Sequence, residues 1–291
     1  MEFRHKEDGG KSEIVSIGLM RGIASAMVCL YHLTNGNRRL LPDDNILRTS
    51  GWWLHTGVEI FFMISGFIIP YSMYVNNYSI KNIGTFFKKS IIRIEPPYLI
   101  SISVVLGLGY ISALMPFYRG VTFSIDWLNI AGHIVYLNTF TGAQWIQDLY
   151  WTLAIEFQYY IIIAVVYALL VSKKLYLRIL FFLLFMSIVL LGQYAPFSIA
   201  GFAGFFMMGI LLFQYYCRIS TAFKFLFLAL LTVIAIYFLH GFVLAALSVV
   251  TLLIIAFIKR VPPFFSFLGT ISYSLYLVHS PFGGRIINIT E

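Results

Sequence analysis

The sequence predicts an all-α fold, a polytopic bundle of transmembrane helices, and three observations support that prediction. Hydrophobic residues make up 60% of the 291 positions, charged residues 11%, and the mean hydropathy is +0.86, which lies outside the composition of soluble domains. Apolar stretches close to the roughly 20 residues that cross a bilayer recur along the whole chain. Because no polar region is long enough to fold alone, we expect one membrane-embedded domain over residues 1–291.

Hydropathy predicts about nine spans in chain order. The first follows a polar N-terminus, residues 1–15, and lacks a small-residue cleavage pattern, so we expect a retained helix rather than a signal peptide. The longest polar interruption, residues 116–148, is predicted to be an external connection that covers a site. The predicted spans are 16–33, 51–73, 91–115, 149–171, 175–194, 197–216, 222–239, 241–258 and 265–282.

Basic residues predict the orientation, because cytoplasmic flanks carry more Lys and Arg. With the N-terminus inside, 15 of the 20 Lys and Arg residues fall on inner segments. This asymmetry explains the net charge of +8 without nucleic acid as a partner. All five tryptophans then fall at or near the outer face, where they form either an interfacial belt or, for some of them, surfaces that stack on a sugar ring.

Ionisable residues inside the predicted spans are the candidate functional groups, because a charge near the bilayer centre costs at least roughly 2.5–3.5 kcal/mol. No metal site is predicted, since Cys29 and Cys217 lie in different spans without paired spacing. The ionisable residues divide by depth. His32, His55, Glu59, Glu156 and His279 lie in the outer part of their spans, and Arg21, Lys88, Lys89, Arg93 and Glu95 lie toward the inside.

The first span places Arg21 and His32 on one face. Eleven residues of α-helix bring His32 back within roughly 20° of Arg21 and some 16 Å further along the axis. The two side chains are therefore expected to line one cavity at different depths.

Two other pairs have a structural as well as a functional interpretation. His55 and Glu59 are four residues apart, so they share a helical face and form either a local pair or part of a site. Arg93 and Glu95 come just before two prolines and are expected to begin the third span, where they serve either as a binding site or as snorkelling anchors.

Five motifs occur in order over nearly the whole chain. They are the Arg-x10-His of residues 21–32, GVEIFFMISGFII at 57–69, FFKKSIIRIEPPYLI at 86–100, YWTLAIEFQYY at 150–160 and GTISYSLYLVHSP at 269–281. Together they resemble the acyltransferase 3 family of integral membrane acyltransferases. The resemblance also implies that the family's last span is missing or shortened here, since only GGRIINITE follows Phe282, and no hydrolase-like domain of the kind fused to some members is present.

The resemblance implies an O-acyltransferase that moves an acyl group, commonly acetyl from acetyl-CoA, to a hydroxyl of an extracytoplasmic sugar or polysaccharide. Acyl-CoA is then a co-substrate, and no permanently bound cofactor is expected. Because the planar fork of Arg suits phosphate, Arg93 with Lys88 and Lys89 is predicted to hold CoA. The acceptor is expected to be a carbohydrate or a lipid-linked glycan, and the location a multi-pass position in the bacterial cytoplasmic membrane.

His32 is predicted to be the general base, since an ordinary imidazole accepts a proton near neutral pH. Arg21 is expected to line the donor channel, and Glu156 to orient His32 or to hold the acceptor hydroxyl. A buried thiol is usually inert, which disfavours Cys29 as a nucleophile. Further candidates are Glu59, Ser65, Tyr273 and His279.

A secondary transporter of a small anion or sugar is the main alternative, because intramembrane Arg, His and Glu also mark transport pathways. The residue pattern alone leaves enzyme and transporter open. The family resemblance favours the enzyme.

Overall fold

A computed structural model describes residues 6–8, 11–36, 41–115 and 124–289, with side chains described at 14–36, 41–115 and 124–283. Within these ranges a short antiparallel pair, Lys6–Asp8 with Lys11–Glu13, precedes a wholly helical body. The predicted all-α class is confirmed.

The described residues form twelve α-helices, which we number in chain order. They are α1 Val15–Asn35, α2 Ile46–Gly51, α3 Gly57–Val75, α4 Ile83–Ala113, α5 Trp127–Ile134, α6 Asn138–Thr141, α7 Trp151–Leu170, α8 Leu175–Leu190, α9 Ile199–Tyr216, α10 Ala222–His240, α11 Phe242–Phe257 and α12 Pro263–Ile289.

These helices account for all nine predicted spans. Seven helical segments of the described chain are long and apolar enough to cross a membrane, and α11 is apolar but shorter. The ninth predicted span, 265–282, falls inside α12. The protein is therefore an integral membrane helical bundle.

The third predicted span, 91–115, forms part of a longer helix. Arg93 and Glu95 were expected to begin this span just before Pro96 and Pro97, whereas α4 begins at Ile83 and runs through both prolines. Proline lacks the N–H that would bond the carbonyl four residues earlier, so Pro96 and Pro97 free the carbonyls of Ile92 and Arg93. Tyr273 Oη donates to the next carbonyl, that of Ile94, at 2.9 Å. Arg93 and Glu95 consequently lie within a long helix rather than at its edge.

The second predicted span is also divided differently. A 3-10 segment, Trp52–Thr56, precedes α3 and carries His55, whereas Glu59 lies in the first turn of α3. His55 contacts the rings of Tyr31 and Trp52, and Glu59 is buried at 7% exposure. His55 and Glu59 therefore belong to two consecutive helical segments and have different surroundings.

Helix α9 is the central helix of the bundle and α4 lies at its periphery. In the most apolar stretch of α9, 83% of the residues are buried. In the most apolar stretch of the segment that contains α4, 17% are buried. Close glycine contacts seat α3 against α9: a Cβ at Gly66 would meet the backbone of Phe206, and one at Gly209 would meet the backbone of Met63. Small residues allow such backbone approach between membrane helices, so α3 is held firmly in place.

Candidate active site

A cavity of about 200 Å³ lies inside the bundle, between α1, α3, α4, α7 and α12. We call it the core cavity. Most of its wall is apolar, and its polar side chains come from all five helices. Those polar lining residues are Arg21, Ser65, Arg93, Thr152, Glu156, Tyr160, Tyr273 and Tyr276.

A continuous chain of hydrogen bonds crosses the wall of the core cavity. Arg93 Nη2 donates to Tyr160 Oη at 2.8 Å, and Tyr160 Oη donates to Glu156 Oε1 at 2.9 Å. Ser65 Oγ donates to the same carboxylate oxygen at 2.9 Å. Two side-chain hydroxyls of the protein therefore hold Glu156 Oε1.

Helix geometry explains why these groups meet. Glu156 and Tyr160 are four residues apart on α7 and therefore share a face. The neighbouring Tyr159 points elsewhere, since its ring stacks on Phe206 of α9 at 4.3 Å. Arg93 reaches the cavity because α4 extends through its two prolines.

A second cavity of about 370 Å³ lies between the end of α3 and the beginning of α4. We call it the vestibule. Its polar wall consists of hydroxyl, amide and cationic side chains, and among the described residues only Arg93 lines both the vestibule and the core cavity. The polar lining residues of the vestibule are Ser72, Asn76, Tyr78, Asn82, Thr85, Lys89, Ser90 and Arg93. Lys88 is exposed and is not part of this wall.

His32 and His279 form a ring contact near the other end of α1, with centroids 5.1 Å apart. His279 Nδ1 lies 3.2 Å from the Leu275 carbonyl, and its Nε2 is buried without a hydrogen-bond partner among the described residues. Asp148 lies close enough to His32 to interact electrostatically. We call this region the histidine end of the bundle, and the region of Lys81, Lys88 and Lys89 the lysine end.

The histidine pair stands beside the core cavity rather than in its wall. His279 lies 6.0 Å from the ring of Tyr276, centroid to centroid, and Tyr276 lines the cavity with its hydroxyl 2.8 Å from Thr152 Oγ1. The expectation that Arg21 and His32 line one cavity therefore holds for Arg21, while His32 is separated from that wall by His279 and Tyr276.

Three aromatic rings extend the histidine end outward. Tyr31 contacts His32 at 5.1 Å, His55 at 5.6 Å and Trp52 at 6.0 Å between centroids. Trp52 is 52% exposed. Both interpretations of the tryptophans fit this arrangement, since an exposed ring suits an interface and a sugar equally.

The described part of the predicted external connection, residues 124–148, is folded around a histidine. His133 is fully buried; its Nε2 accepts from the Ile146 N–H at 3.1 Å, which leaves Nδ1 to donate to the Asn129 carbonyl at 2.9 Å. Burial lowers the pKa of His133. Ser280 Oγ of α12 donates to Gln147 Oε1 at 2.9 Å, which ties this lobe to the histidine end. Residues 116–123 lie outside the described residues.

Eight of the ten sequence candidates thus fall into three groups, and Glu59 and Lys88 lie outside them. Arg21, Ser65, Arg93, Glu156 and Tyr273 line the core cavity, Lys89 joins Arg93 in the vestibule, and His32 with His279 forms the histidine pair. Glu59 is buried with Oε2 unpartnered among the described residues, and Lys88 is exposed.

Tyr160 was not predicted from the sequence. The available signal was its position four residues after the intramembrane Glu156, which places a hydroxyl on the same helical face. Within the described residues, no group of three or more His, Cys, Asp or Glu side chains is suited to a metal ion. Cys29 and Cys217 are both free thiols.

A membrane bundle that encloses a carboxylate, two arginines and several hydroxyls in one cavity defines a membrane protein with an internal polar site. The sequence model of a family described as an acyltransferase domain, Acyl_transf_3, matches residues 14–286. The chain therefore belongs to this acyltransferase family and is an integral membrane acyltransferase. No curated protein and no solved structure matches it.

Proposed function

We propose that this acyltransferase takes an acyl group, acetyl in the simplest case, from cytoplasmic acyl-CoA and transfers it to a hydroxyl of an extracytoplasmic sugar, polysaccharide or lipid-linked glycan. The observation that carries this proposal is the meeting of two cavities at Arg93. One of them is polar and cationic, the other is mostly apolar and contains a carboxylate. A donor molecule with an anionic head and a thin, extended arm fits these two adjoining cavities.

The vestibule is the proposed site for the phosphate-bearing part of the donor. Arg93 offers paired N–H donors to phosphate and Lys89 adds a mobile positive charge. The hydroxyl and amide groups of the vestibule supply further hydrogen bonds to a nucleotide. The pantetheine arm then passes Arg93 into the core cavity, with Arg21 on its wall, and brings the thioester toward the histidine end.

His32 is the proposed general base for the acceptor hydroxyl. An imidazole can accept that proton at neutral pH, and a sugar hydroxyl is a weak nucleophile without such assistance. Attack of the acceptor oxygen on the thioester carbonyl forms the ester bond, the carbon–sulfur bond breaks, and the CoA sulfur leaves as a thiol after receiving the proton that His32 took from the hydroxyl. Glu156 is proposed to hold the acceptor or to orient the reacting groups, and the oxyanion requires nearby donors.

The positive-inside rule places the lysine end in the cytoplasm and the histidine end outside. A cysteine scan tests this orientation on a background free of Cys29 and Cys217. Cysteine at Trp127, which is 73% exposed in the external lobe, should react with an impermeant thiol reagent from outside, and cysteine at Lys174 only from inside. Reaction of both from one side would contradict the orientation.

Radiolabelled acetyl-CoA added to inside-out membrane vesicles tests the reaction itself. We expect label on a glycan in vesicles that contain the protein and none with His32→Ala or without the protein. Flux of a small anion or sugar without transfer of label would support the transporter instead.

A further inference from the structure

We propose that Tyr160 is a positioning residue that couples the donor-binding guanidinium of Arg93 to the carboxylate of Glu156, an inference that rests on the proposed function.

The hydrogen-bond chain permits a single direction of donation. A guanidinium only donates hydrogen bonds, so Tyr160 Oη must accept from Arg93 at 2.8 Å. The hydroxyl has one proton, which it gives to Glu156 Oε1 at 2.9 Å. Arg93 therefore fixes the orientation of the Tyr160 hydroxyl, and that hydroxyl fixes one oxygen of Glu156.

The positions of Arg93, Tyr160 and Glu156 in the two cavities indicate what this hydrogen-bond chain does. Arg93 lies on the boundary between vestibule and core cavity, whereas Glu156 and Tyr160 line the core cavity and not the vestibule. The bond to Tyr160 uses one N–H of Nη2, and a guanidinium has five. The remaining donors can bind the phosphates of acyl-CoA while the bond to Tyr160 persists. With the donor bound, the Tyr160 hydroxyl then still joins Arg93 to the carboxylate of Glu156.

The hydroxyl, and not the ring, carries this linkage. The ring of Tyr160 is 1% exposed and packs near Phe86 at 6.1 Å between centroids. Tyr160→Phe preserves that packing and removes only the group between the two charges. The adjacent Tyr159 provides a matched control, because it is equally buried on the same helix and its hydroxyl makes only a long 3.4 Å bond to the Gly66 carbonyl.

Binding of CoA to the purified protein in nanodiscs tests the coupling independently of turnover. Affinities are measured calorimetrically for the wild type, Glu156→Gln, Tyr160→Phe and the double variant. We expect Glu156→Gln to change CoA affinity by about threefold or more in the wild type and to have no effect once Tyr160 is Phe, as in a double-mutant cycle between coupled residues. In the Tyr159→Phe background the full effect of Glu156→Gln should remain.

Kinetics provide a second readout. Tyr160→Phe should lower kcat by about tenfold to a hundredfold, the range expected for losing a hydrogen bond to a charged group, with a smaller rise in the KM for acyl-CoA. Tyr159→Phe should change neither by more than about twofold. Should Tyr160→Phe not purify as the wild type does, Arg93→Lys replaces it in the binding cycle and should likewise abolish the effect of Glu156→Gln.

The outcomes separate the inference from the proposed function. An equal effect of Glu156→Gln with and without the Tyr160 hydroxyl, or no effect in the wild type, would overturn the coupling alone. A wild-type protein that does not bind CoA would overturn the proposed function.

Discussion

The two ends of the bundle bring together different kinds of side chain. The lysine end surrounds its vestibule with hydroxyls, amides and the cations of Lys89 and Arg93. The histidine end consists of imidazole and aromatic rings, with His32 against His279 and Tyr31 against Trp52. Between them, the core cavity is mostly apolar and holds the buried hydrogen-bond chain to Glu156.

This difference separates two tasks that acyl transfer requires. Phosphate recognition needs fixed positive charge, whereas proton removal from a hydroxyl needs a group that can be neutral and accept. Placing both in one compartment would expose the base to the field of several cations. We therefore expect changes at the lysine end to alter donor use and changes at the histidine end to alter the rate of the chemical step.

The largest effect should come from the histidine end. His32→Ala removes the proposed base and should lower kcat by about 10²–10⁴-fold while the protein still inserts and purifies at similar yield. His240→Ala is the control, since His240 ends α10 and contacts Phe205 outside both cavities. Acyl transfer to acceptor is the measurement, and a loss of only a few-fold would indicate a structural role for His32.

Arg93 should produce the next largest effect, on the donor. Arg93→Ala removes paired hydrogen bonds to a charged ligand and should raise the KM for acyl-CoA by about 10- to 100-fold, with a much smaller change for the acceptor. Arg93→Lys should recover part of the loss at most, because an ammonium lacks the planar fork. Initial rates with each substrate varied in turn distinguish these cases. Equal changes for donor and acceptor would instead point to misfolding.

Lys88 and Lys89 test which side of α4 borders the vestibule. Lys89 lines it and Lys88 does not. Lys89→Ala should therefore raise the KM for acyl-CoA by about two- to fivefold, as expected for an exposed charge, and Lys88→Ala should raise it less. The same kinetic assay checks this ranking, and the reverse order would place the donor on another face of α4.

The smallest effect concerns the lobe around His133 and depends on pH. Burial holds the pKa of His133 below its ordinary value near 6.5, so the folded lobe keeps this side chain neutral. Neutral His133 contributes fully to the stability of the lobe above about pH 6.5. As pH falls from there toward the folded-state pKa, that contribution is lost, because His133 in the opened segment binds a proton and His133 in the folded lobe does not.

Hydrogen exchange over residues 124–147 measures this loosening. Protection should fall between about pH 7.5 and about pH 5.5, after correction for intrinsic exchange, and His133→Gln should remove most of that dependence. Unchanged protection in the wild type would show that His133 does not control the stability of the lobe.

The fold was largely predictable because hydropathy acts over whole spans. Each of the nine predicted spans falls on a helix. The differences concern where helices begin. Hydropathy predicted a third span from Ile91, whereas α4 begins at Ile83 and continues through Pro96 and Pro97.

The candidate site was predicted as a set of residue types more readily than as an arrangement. Arg21, Ser65, Arg93 and Glu156 line one cavity, as expected for polar groups that are costly in a bilayer. The sequence does not reveal that Tyr160 stands between Arg93 and Glu156, since that contact depends on how α4 packs against α7. The separation of His32 from the cavity wall likewise depends on the placement of α12.

The length of α4 determines how far the vestibule lies from the middle of the bilayer. Thirty-one residues extend about 46 Å, against a hydrocarbon layer of about 30 Å, and an average tilt of about 20° removes only a few ångströms of that excess. With its last turn at the far boundary, roughly the first ten residues of α4 project beyond the acyl chains. Thr85 and Lys89 then stand level with phospholipid head groups. We therefore expect lipid phosphates to compete with the proposed donor for the same cations, so that the apparent affinity for acyl-CoA depends on the lipid composition of that leaflet.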